Sequence, residues 1–419
     1  KPARSLLELQ GRRPCERPRA MGRDLAEPPA CKRRRAGAGE DVDVGRPLEE
    51  LDTPALLVDL DALEHNIAAM AEHILGAGCL WRPHCKALRA APLARRLVDA
   101  GACGVTCAKL SQAEALVNSG IADVLIANEV VGARKISALV ELAKRAVLCV
   151  AVDDAENLRE ISAAAVAAGL ESIRTGAIAV LVDVDIGMSR CGVHWSRTDE
   201  IIALCRLAVE LPGITFRGLM GYEGHAQGLA GEAKAAESTV VAERLAGVKK
   251  VVTDAGLEVP LVSGAGSGNY FLASRLGATT EVQAGGAALF CQTYERFHAG
   301  QAGAPRHRPA LSLLCQVVSV AGLPEGRCVG DAGFKSSFPL GGGLPKVLGR
   351  PGLAVTQLNA EHCVFEVAEG TVAPRLGERI CLQPHYSDAT TLLHRRLYAV
   401  RAGRVVEAWS LEDSIGQLS

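Results

Sequence analysis

The sequence lacks a long apolar run, a CxxC pair and an excess of charge of one sign. Even the apolar segment Thr175–Met188 is interrupted by Asp183 and Asp185, and it is shorter than the roughly 18 residues that cross a bilayer. Fourteen cysteines lie scattered between Cys15 and Cys381 without a paired framework, which indicates a reducing, intracellular compartment. The formal net charge is −1, so the composition predicts neither a nucleic-acid partner nor a membrane partner.

Positive charge is concentrated at the amino terminus. Residues 1–36 contain 11 Lys and Arg against 4 Asp and Glu, whereas the rest of the chain contains 35 against 43. The first 45 residues are rich in Arg, Pro, Ala and Gly and have no apolar period, so we expect a disordered basic leader. An organellar transit peptide, a nuclear address and an extension without function are all compatible with it. The location is therefore predicted only as cytoplasmic or organellar.

The chain has 419 residues, of which 48% are apolar, and this is enough for two domains. After an opening strand at Ala55–Asp59, eight apolar segments alternate with Ala-rich stretches whose apolar residues recur at helical spacing. This pattern favours a (β/α)8 barrel over an open Rossmann sheet. Beyond residue 300, short apolar runs separated by Gly and Pro predict an all-β domain. The eight candidate barrel strands are Leu80–His84, Gly104–Cys107, Val124–Ala127, Ala146–Val152, Ala177–Val184, Phe216–Gly221, Pro260–Ser263 and Thr279–Gln283.

Polar residues follow several of these strands, and in a barrel the strand ends carry the chemistry. Lys86 follows the first barrel strand, close to Arg82 and His84. Partial burial and these two neighbours are expected to lower the pKa of its amine and favour a Schiff-base nucleophile, although a lysine at a strand end is also a common surface group. His225 and His362 each follow an apolar strand in a polar loop, which makes them candidate bases.

Two further segments are candidates for binding. Ser263–Tyr270 (SGAGSGNY) lies between a strand and a helical stretch, so its glycines would let amides converge on a phosphate monoester, but a plain loop fits the spacing equally well. In QPHYSDAT, His385 and Asp388 lie three residues apart, which suits Mn²⁺, Mg²⁺ or Zn²⁺ with water in the remaining positions. Solvated turn residues are the simpler interpretation of that pair.

Eight blocks of sequence carry these residues in order. The first block contains RPHCK, GVTCAK and DVLIAN, and the last is QPHYSDAT. Together the blocks resemble the D-threonine aldolase and D-serine dehydratase family, the fold-type III pyridoxal-phosphate enzymes related to alanine racemase. The blocks are Trp81–Asn128, Val182–Val193, Gly218–Gln227, Val262–Tyr270, Glu281–Gly286, Val329–Ser337, Asn359–Cys363 and Gln383–Thr390.

The resemblance implies roles residue by residue. Lys86 matches the lysine that holds pyridoxal 5'-phosphate as a Schiff base, and Arg190 matches the arginine that contacts the cofactor ring. It also implies a barrel over residues 61–299, a β domain built from residues 46–60 and 300–419, and a homodimer. The expected phosphate contacts, together with residues that help them, are Gly264, Gly266, Ser267, Gly268, Tyr222 and the amides near Gly286.

The metal motif distinguishes two activities within the family. The resemblance implies His-x-Cys in D-serine dehydratases and His-x-Asp in D-threonine aldolases. Asp388 ends the motif here and favours the aldolase, but Tyr386 occupies the position two residues before it. Either the loop bulges so that His385 reaches the ion, or His362 replaces it.

The expected function is that of a pyridoxal-phosphate- and divalent-metal-dependent D-threonine aldolase. It would cleave D-threonine and other D-β-hydroxy-α-amino acids to glycine and an aldehyde. The ion near Asp388 would bind the β-hydroxyl, and His225, His362 or a group on the ion would take its proton. The alternatives are β-elimination to ammonia and a keto acid, racemisation, and a pyridoxal-phosphate carrier without catalytic activity. The all-β domain of about 110 residues argues against the carrier, which would be a single barrel.

Overall fold

The computed structural model describes residues 42–170 and 178–411. The greater part of the predicted basic leader, residues 1–41, lies outside the described residues, as does the first residue of the predicted strand at 177–184. Within the described ranges no helix is both long enough and apolar enough to cross a bilayer. The α-helices are α1 Leu60–Gly76, α2 Ala91–Asp99, α3 Leu110–Asn118, α4 Ala133–Ala143, α5 Ala155–Ala167, α6 Thr198–Glu210, α7 Gly224–Gln227, α8 Gly231–Asp254, α9 Tyr270–Ala273, α10 Gln292–His298 and α11 Ser387–Thr390.

The first sheet consists of parallel strands and forms the predicted barrel. Its strand order is β2-β10-β9-β8-β6-β5-β4-β3, and β7 pairs with β6 at its side. A parallel bridge between His84 and Thr106 joins the segment after β2 to β3 and completes the ring. The strands are β2 Leu80–Trp81, β3 Val105–Cys107, β4 Asp123–Glu129, β5 Val147–Val152, β6 Ile178–Asp185, β7 Val193–His194, β8 Ile214–Gly221, β9 Leu261–Gly264 and β10 Glu281–Val282.

Side chains that alternate along the barrel strands form two apolar layers, one on each face of the sheet. On β4, Val124 and Ile126 pack against the surrounding helices, whereas Leu125 points to the interior of the barrel. The side chains of neighbouring residues on a strand point to opposite faces, so both faces of this sheet are buried by apolar contact. The barrel is therefore a filled core whose open end carries the polar side chains.

The second sheet belongs to the carboxyl-terminal part of the chain but also contains the opening strand. Its order is β14-β15-β12-β11-β1-β17-β18, with β16 pairing with both β11 and β13. β1 (Ala55–Asp59) pairs antiparallel with β11 and parallel with β17. The other strands are β11 Leu311–Ser319, β12 Arg327–Gly330, β13 Lys346–Val347, β14 Leu353–Leu358, β15 Cys363–Val367, β16 Arg379–Gln383, β17 Arg396–Arg401 and β18 Arg404–Ser410.

The predicted fold class, an alanine racemase-like barrel with a second β domain, is confirmed. The sequence pattern missed α1, a helix of 17 residues, because its apolar residues follow directly on the apolar strand β1. It also missed the two-residue strands β7 and β13, which are too short to show a period of two.

Candidate active site

Lys86 lies in the turn after β2, at the mouth of the barrel. Its Nζ is 3.5 Å from Oδ2 of Asp388, which comes from the carboxyl-terminal segment, and the two side chains are 41% and 8% exposed. The Asp388 carboxylate raises the pKa of Lys86, and this effect outweighs the opposing effect of burial. The sequence-based expectation of a lowered pKa is therefore wrong for the free lysine, because it did not include an acid brought in from a distant segment.

Arg82 does not act on Lys86 as expected. Its side chain is almost fully buried, and it donates to Glu281 Oε2 at 2.8 Å and to Asp123 Oδ1 at 2.6 Å. The Ser263 hydroxyl donates to the other Glu281 oxygen at 2.7 Å. Two carboxylates thus neutralise the guanidinium, and Arg82 is part of the barrel interior.

His84 is held beside the lysine in a neutral form. Its Nδ1 accepts a hydrogen bond from the backbone amide of Lys86 at 3.2 Å. Burial, followed by the positive charges of Lys86 and Arg190, places the pKa of His84 well below its ordinary value. Since Nδ1 is an acceptor, the proton of the neutral ring lies on Nε2, which leaves a donor at the barrel mouth.

Arg190 and Tyr222 form the opposite side of the site. The Arg190 guanidinium carbon lies 5.1 Å from the centre of the Tyr222 ring, and the Gln227 side-chain amide donates to the Tyr222 hydroxyl at 3.1 Å. Burial raises the pKa of Tyr222, against the effect of the nearby Lys86 charge. The structure therefore brings the predicted residues Lys86, Arg190 and Tyr222 together.

Hydroxyl groups surround the carboxylate of Asp388. Oδ1 accepts from Tyr294 and from Ser387, each at 3.2 Å, and Oδ2 accepts from Tyr386 at 3.0 Å. Burial raises the pKa of both Tyr294 and Tyr386, and the Asp388 charge acts in the same direction. The sequence-based analysis missed Tyr294, because the α10 segment around it carries no motif.

Side chains hold the glycine-rich loop after β9 in place by accepting hydrogen bonds from its backbone amides. Glu223 accepts from the Gly266 amide at 2.9 Å and from the Ala265 amide at 3.2 Å. Gln227 accepts from the Gly268 amide at 3.1 Å. Of the loop amides expected to bind phosphate, those of Gly266 and Gly268 are therefore already engaged. Glu223 belongs to the GYEGH segment. The sequence does not show that this segment lies beneath the loop, so this support could not be predicted from it.

Two backbone amides remain available for an anion. Within the part of the chain that the structure describes, the amides of Ser267 and Gly286 have no hydrogen-bond partner. A Cβ atom at Gly286 would lie 2.7 Å from Tyr294 Cζ, and one at Gly285 would lie 2.8 Å from the His84 amide nitrogen. Only glycine fits so close to these groups. The free amides, the lysine and the Arg190 guanidinium fit a phosphorylated pyridoxal ring bound to Lys86.

The two predicted histidines lie on separate elements of the fold. His225 Nε2 lies 3.1 Å from Glu237 Oε1 on α8, and His362 is exposed in the turn between β14 and β15. Among the described residues, no hydrogen bond or ion pair links either imidazole to Lys86 or Asp388.

The donor set does not fit a divalent ion. The His385 imidazole packs directly on Gly343, and burial together with the Arg296 charge lowers its pKa. Across residues 42–170 and 178–411, no group of three or more His, Cys, Asp or Glu side chains could hold a metal ion. Asp388 is the one expected ligand at the site, and hydrogen-bond donors already occupy both of its oxygens.

Asp183 and Glu129 form a pair of acids beside Arg190. The sequence analysis did not identify them as a pair. Asp183 is buried at the end of β6, and burial together with the Glu129 charge raises the pKa of Asp183 to about 8. The Asp183 carboxyl group therefore holds its proton at neutral pH.

A lysine at the mouth of a parallel barrel, opposite an acid from a second β domain, defines an enzyme with the alanine racemase-like fold. Residues 58–292 match the model for the alanine racemase N-terminal domain, and residues 310–400 match a serine dehydratase domain. The chain belongs to the D-threonine aldolase and D-serine dehydratase family, and it is a lyase.

Individual relatives agree with this assignment. A D-threonine aldolase of Arthrobacter sp. is 37% identical, over 88% of this chain and 94% of the relative. A 3-hydroxy-D-aspartate aldolase of Paracoccus denitrificans (strain Pd 1222) is 33% identical, over 86% and 91%. The crystal structure of D-threonine aldolase from Filomicrobium marinum superimposes with a TM-score of 0.82 at 35% identity, covering 88% of this chain and 97% of that chain.

Proposed function

We propose that this chain is a pyridoxal-phosphate-dependent aldolase that cleaves D-threonine and other D-β-hydroxy-α-amino acids to glycine and an aldehyde. The observation that carries the proposal is the position of the Lys86 amine, 3.5 Å from the buried acid Asp388. One group would tether the cofactor, and the other would meet the substrate hydroxyl. The similarity to proteins named D-threonine aldolase and 3-hydroxy-D-aspartate aldolase supports this substrate class.

Pyridoxal phosphate, when bound, supplies an electron sink for the charge that develops at the substrate α-carbon. Lys86 would hold its aldehyde carbon, and the free amides of Ser267 and Gly286 would hold its phosphate. Arg190 would place a positive charge beside the ring. Tyr222, fixed by Gln227, packs under the Arg190 guanidinium and restricts its movement.

Asp388 is suited to orient the hydroxyl group on the β-carbon. Its carboxylate is buried, so a hydrogen bond from a substrate hydroxyl to it would be stronger than in water. The hydroxyls of Tyr294 and Tyr386 hold the carboxylate in one orientation. The divalent ion of the sequence-based expectation is left out of this proposal, because the donor set does not fit it.

A second candidate function is β-elimination from the same substrates, which yields ammonia and a keto acid. The match of residues 310–400 to a serine dehydratase domain favours it, whereas Asp388 in place of cysteine favours the aldolase. The match of residues 58–292 to the alanine racemase N-terminal domain concerns the barrel, which racemases and aldolases of this fold share, so it does not favour racemisation over cleavage.

The two functions give different products from D-threonine. We expect glycine and acetaldehyde in equal amounts, and ammonia with 2-oxobutyrate at less than about 1% of the glycine. Lys86→Ala should lack the imine absorbance and lose activity by at least about a thousandfold. Lys109→Ala, at an exposed position beyond β3, is the matched control and should keep both. Stoichiometric ammonia would establish elimination instead, and an active Lys86→Ala enzyme would remove the assignment of the lysine.

Exposed apolar side chains support the homodimer as a further part of the proposal. Phe334, Phe338, Leu340, Leu392 and Leu393 are each at least 39% exposed. The Phe338 amide donates to Thr390, two residues beyond Asp388. A second subunit that covered these side chains would also shield the active site from water.

The cellular compartment of the protein stays a prediction, and a transit peptide has no support.

A further inference from the structure

The carboxylate of Asp388 is already satisfied by hydrogen-bond donors. Two hydroxyls donate to Oδ1, and Tyr386 together with the Lys86 ammonium group occupies Oδ2. A carboxylate has about four lone-pair sites, and four donors lie within reach of this one. A divalent ion needs the same lone pairs and prefers several oxygen or nitrogen ligands around it. Donors and an ion therefore compete for this acid.

The neighbouring residues do not complete a metal site. Tyr386 stands two residues before the acid, and its phenolic hydroxyl points a hydrogen at Oδ2. The backbone of His385 is fixed by Thr293, whose amide and hydroxyl donate to the His385 carbonyl at 3.0 Å and 2.8 Å, and its imidazole packs on Gly343. Its imidazole also lies near the positive Arg296, which disfavours a cation there.

We propose that this chain orients the substrate hydroxyl through Asp388 without a divalent ion, and that the hydroxyl of Tyr386 is the positioning group that replaces a metal-ligating imidazole. This inference rests on the proposed function. Of the four donors Lys86 makes the longest contact, 3.5 Å, and it is also the group that would hold the cofactor, so this contact is the one that the substrate hydroxyl would replace. Oδ2 is then free to accept a hydrogen bond from the β-hydroxyl of the substrate, while Tyr386, Tyr294 and Ser387 keep the carboxylate in place.

The first experiment measures binding of Mn²⁺ alone to the holoenzyme by isothermal titration calorimetry after dialysis against EDTA. We expect less than about 0.1 ion per wild-type chain. Tyr386→His installs an imidazole two residues before the acid and should bind about one ion per chain. Tyr398→His is the matched control. It places an imidazole beside Asp43, which accepts from the Tyr398 hydroxyl at 3.0 Å in the second sheet, and it should not bind Mn²⁺.

The second experiment measures glycine release with and without EDTA. The wild-type rate should change by less than about twofold, whereas the rate of Tyr386→His should fall by at least about tenfold on chelation. Tyr386→Phe removes only the hydroxyl and should lower kcat roughly tenfold with little change in KM, because a positioning group acts on the bound substrate. A purely structural role would change the thermal stability without this division between kcat and KM.

Three results would overturn the inference. They are stoichiometric Mn²⁺ binding by the wild type, failure of Tyr386→His to gain an ion, and equal gain by Tyr398→His. Calorimetry reads the ion without catalysis, so the result is interpretable even if the enzyme releases no glycine. Absence of glycine release from every D-β-hydroxy-α-amino acid would instead refute the proposed function.

Discussion

Lys234 supports the glycine-rich loop from below with an amine that has no access to solvent. Its side chain on α8 is 0% exposed, and its Nζ donates to the carbonyls of Gly268 at 2.9 Å and Phe297 at 2.5 Å. Among the described residues no carboxylate forms an ion pair with it. Burial without a counter-charge lowers the pKa of Lys234 from its ordinary 10.5 to about 8. We predict that this amine makes the stability of the enzyme rise with pH.

The sign follows from proton counts. Below pH 8 both the native and the unfolded chain hold the proton, and the native state is penalised for the buried charge. Between about pH 8 and 10.5 the unfolded chain holds the proton and the native amine does not, so the free energy of unfolding increases with pH. From pH 7.5 to 9.0 the gain is about 1.2 kcal/mol. With an unfolding entropy of about 2.1 cal/mol/K per residue over roughly 360 residues, the apparent Tm rises by about 1.5 °C.

Lys234→Met provides the comparison. It removes a penalty of about 3 kcal/mol at pH 7.5 but leaves two buried carbonyls without donors, at about 1–3 kcal/mol each. These effects nearly cancel, so the variant is expected to fold. Differential scanning fluorimetry of both holoenzymes at pH 7.5 and 9.0 isolates the lysine, because all other titrating groups are shared. The wild-type Tm minus the variant Tm should rise by about 1.5 °C from pH 7.5 to pH 9.0. A difference that stays constant or falls over this range would refute a neutral native amine at high pH.

Two other predictions concern the cofactor and the assembly. Gly286→Ala places a methyl group against the Tyr294 ring and next to a free amide, so we expect cofactor affinity to fall at least about tenfold. The measurement is the loss of imine absorbance on dialysis. If the variant retained the cofactor as well as the wild type does, the phosphate would have to bind elsewhere. Sedimentation velocity should show that the wild type is a dimer. Phe334→Glu combined with Phe338→Glu should shift the equilibrium towards monomer, because burial of both rings contributes about 3–6 kcal/mol to the free energy of association. A monomeric wild type would contradict the homodimer.

Much of the fold could be predicted from local patterns. β1 and β5 were expected within one residue of their observed bounds, because continuous or alternating apolar runs determine strands by their own chemistry. The barrel followed from the count of strands between helices. Short elements such as β7 depend on pairing with a neighbour, here β6, and their own residues carry no comparable signal.

The site was predictable in its residue types but not in its electrostatics. Lys86 and Arg190 stand out through their motifs, yet the direction of the pKa shift of Lys86 depends on Asp388, which lies about 300 residues later. Likewise, the glycines of the loop at Gly264–Gly268 are visible in the sequence, whereas its support by Glu223, Gln227 and Lys234 is visible only in three dimensions. Spacing along the chain indicates which groups are present, and tertiary contact decides their charge.

The opening strand connects the barrel with the second sheet. β1 lies in the second sheet between β11 and β17, and Asp59 at its end caps α1 of the barrel by accepting from the Ala62 amide at 2.8 Å. The continuous segment of β1 and α1 therefore belongs to both the second sheet and the barrel. Buried Asn66 on α1 strengthens the link, since its side-chain amide donates to Ala288 at 2.9 Å and to Arg308 at 2.7 Å. Because the barrel and the β domain are held at this shared segment, a short-range contact such as Lys86 with Asp388 can be kept between groups from opposite ends of the sequence.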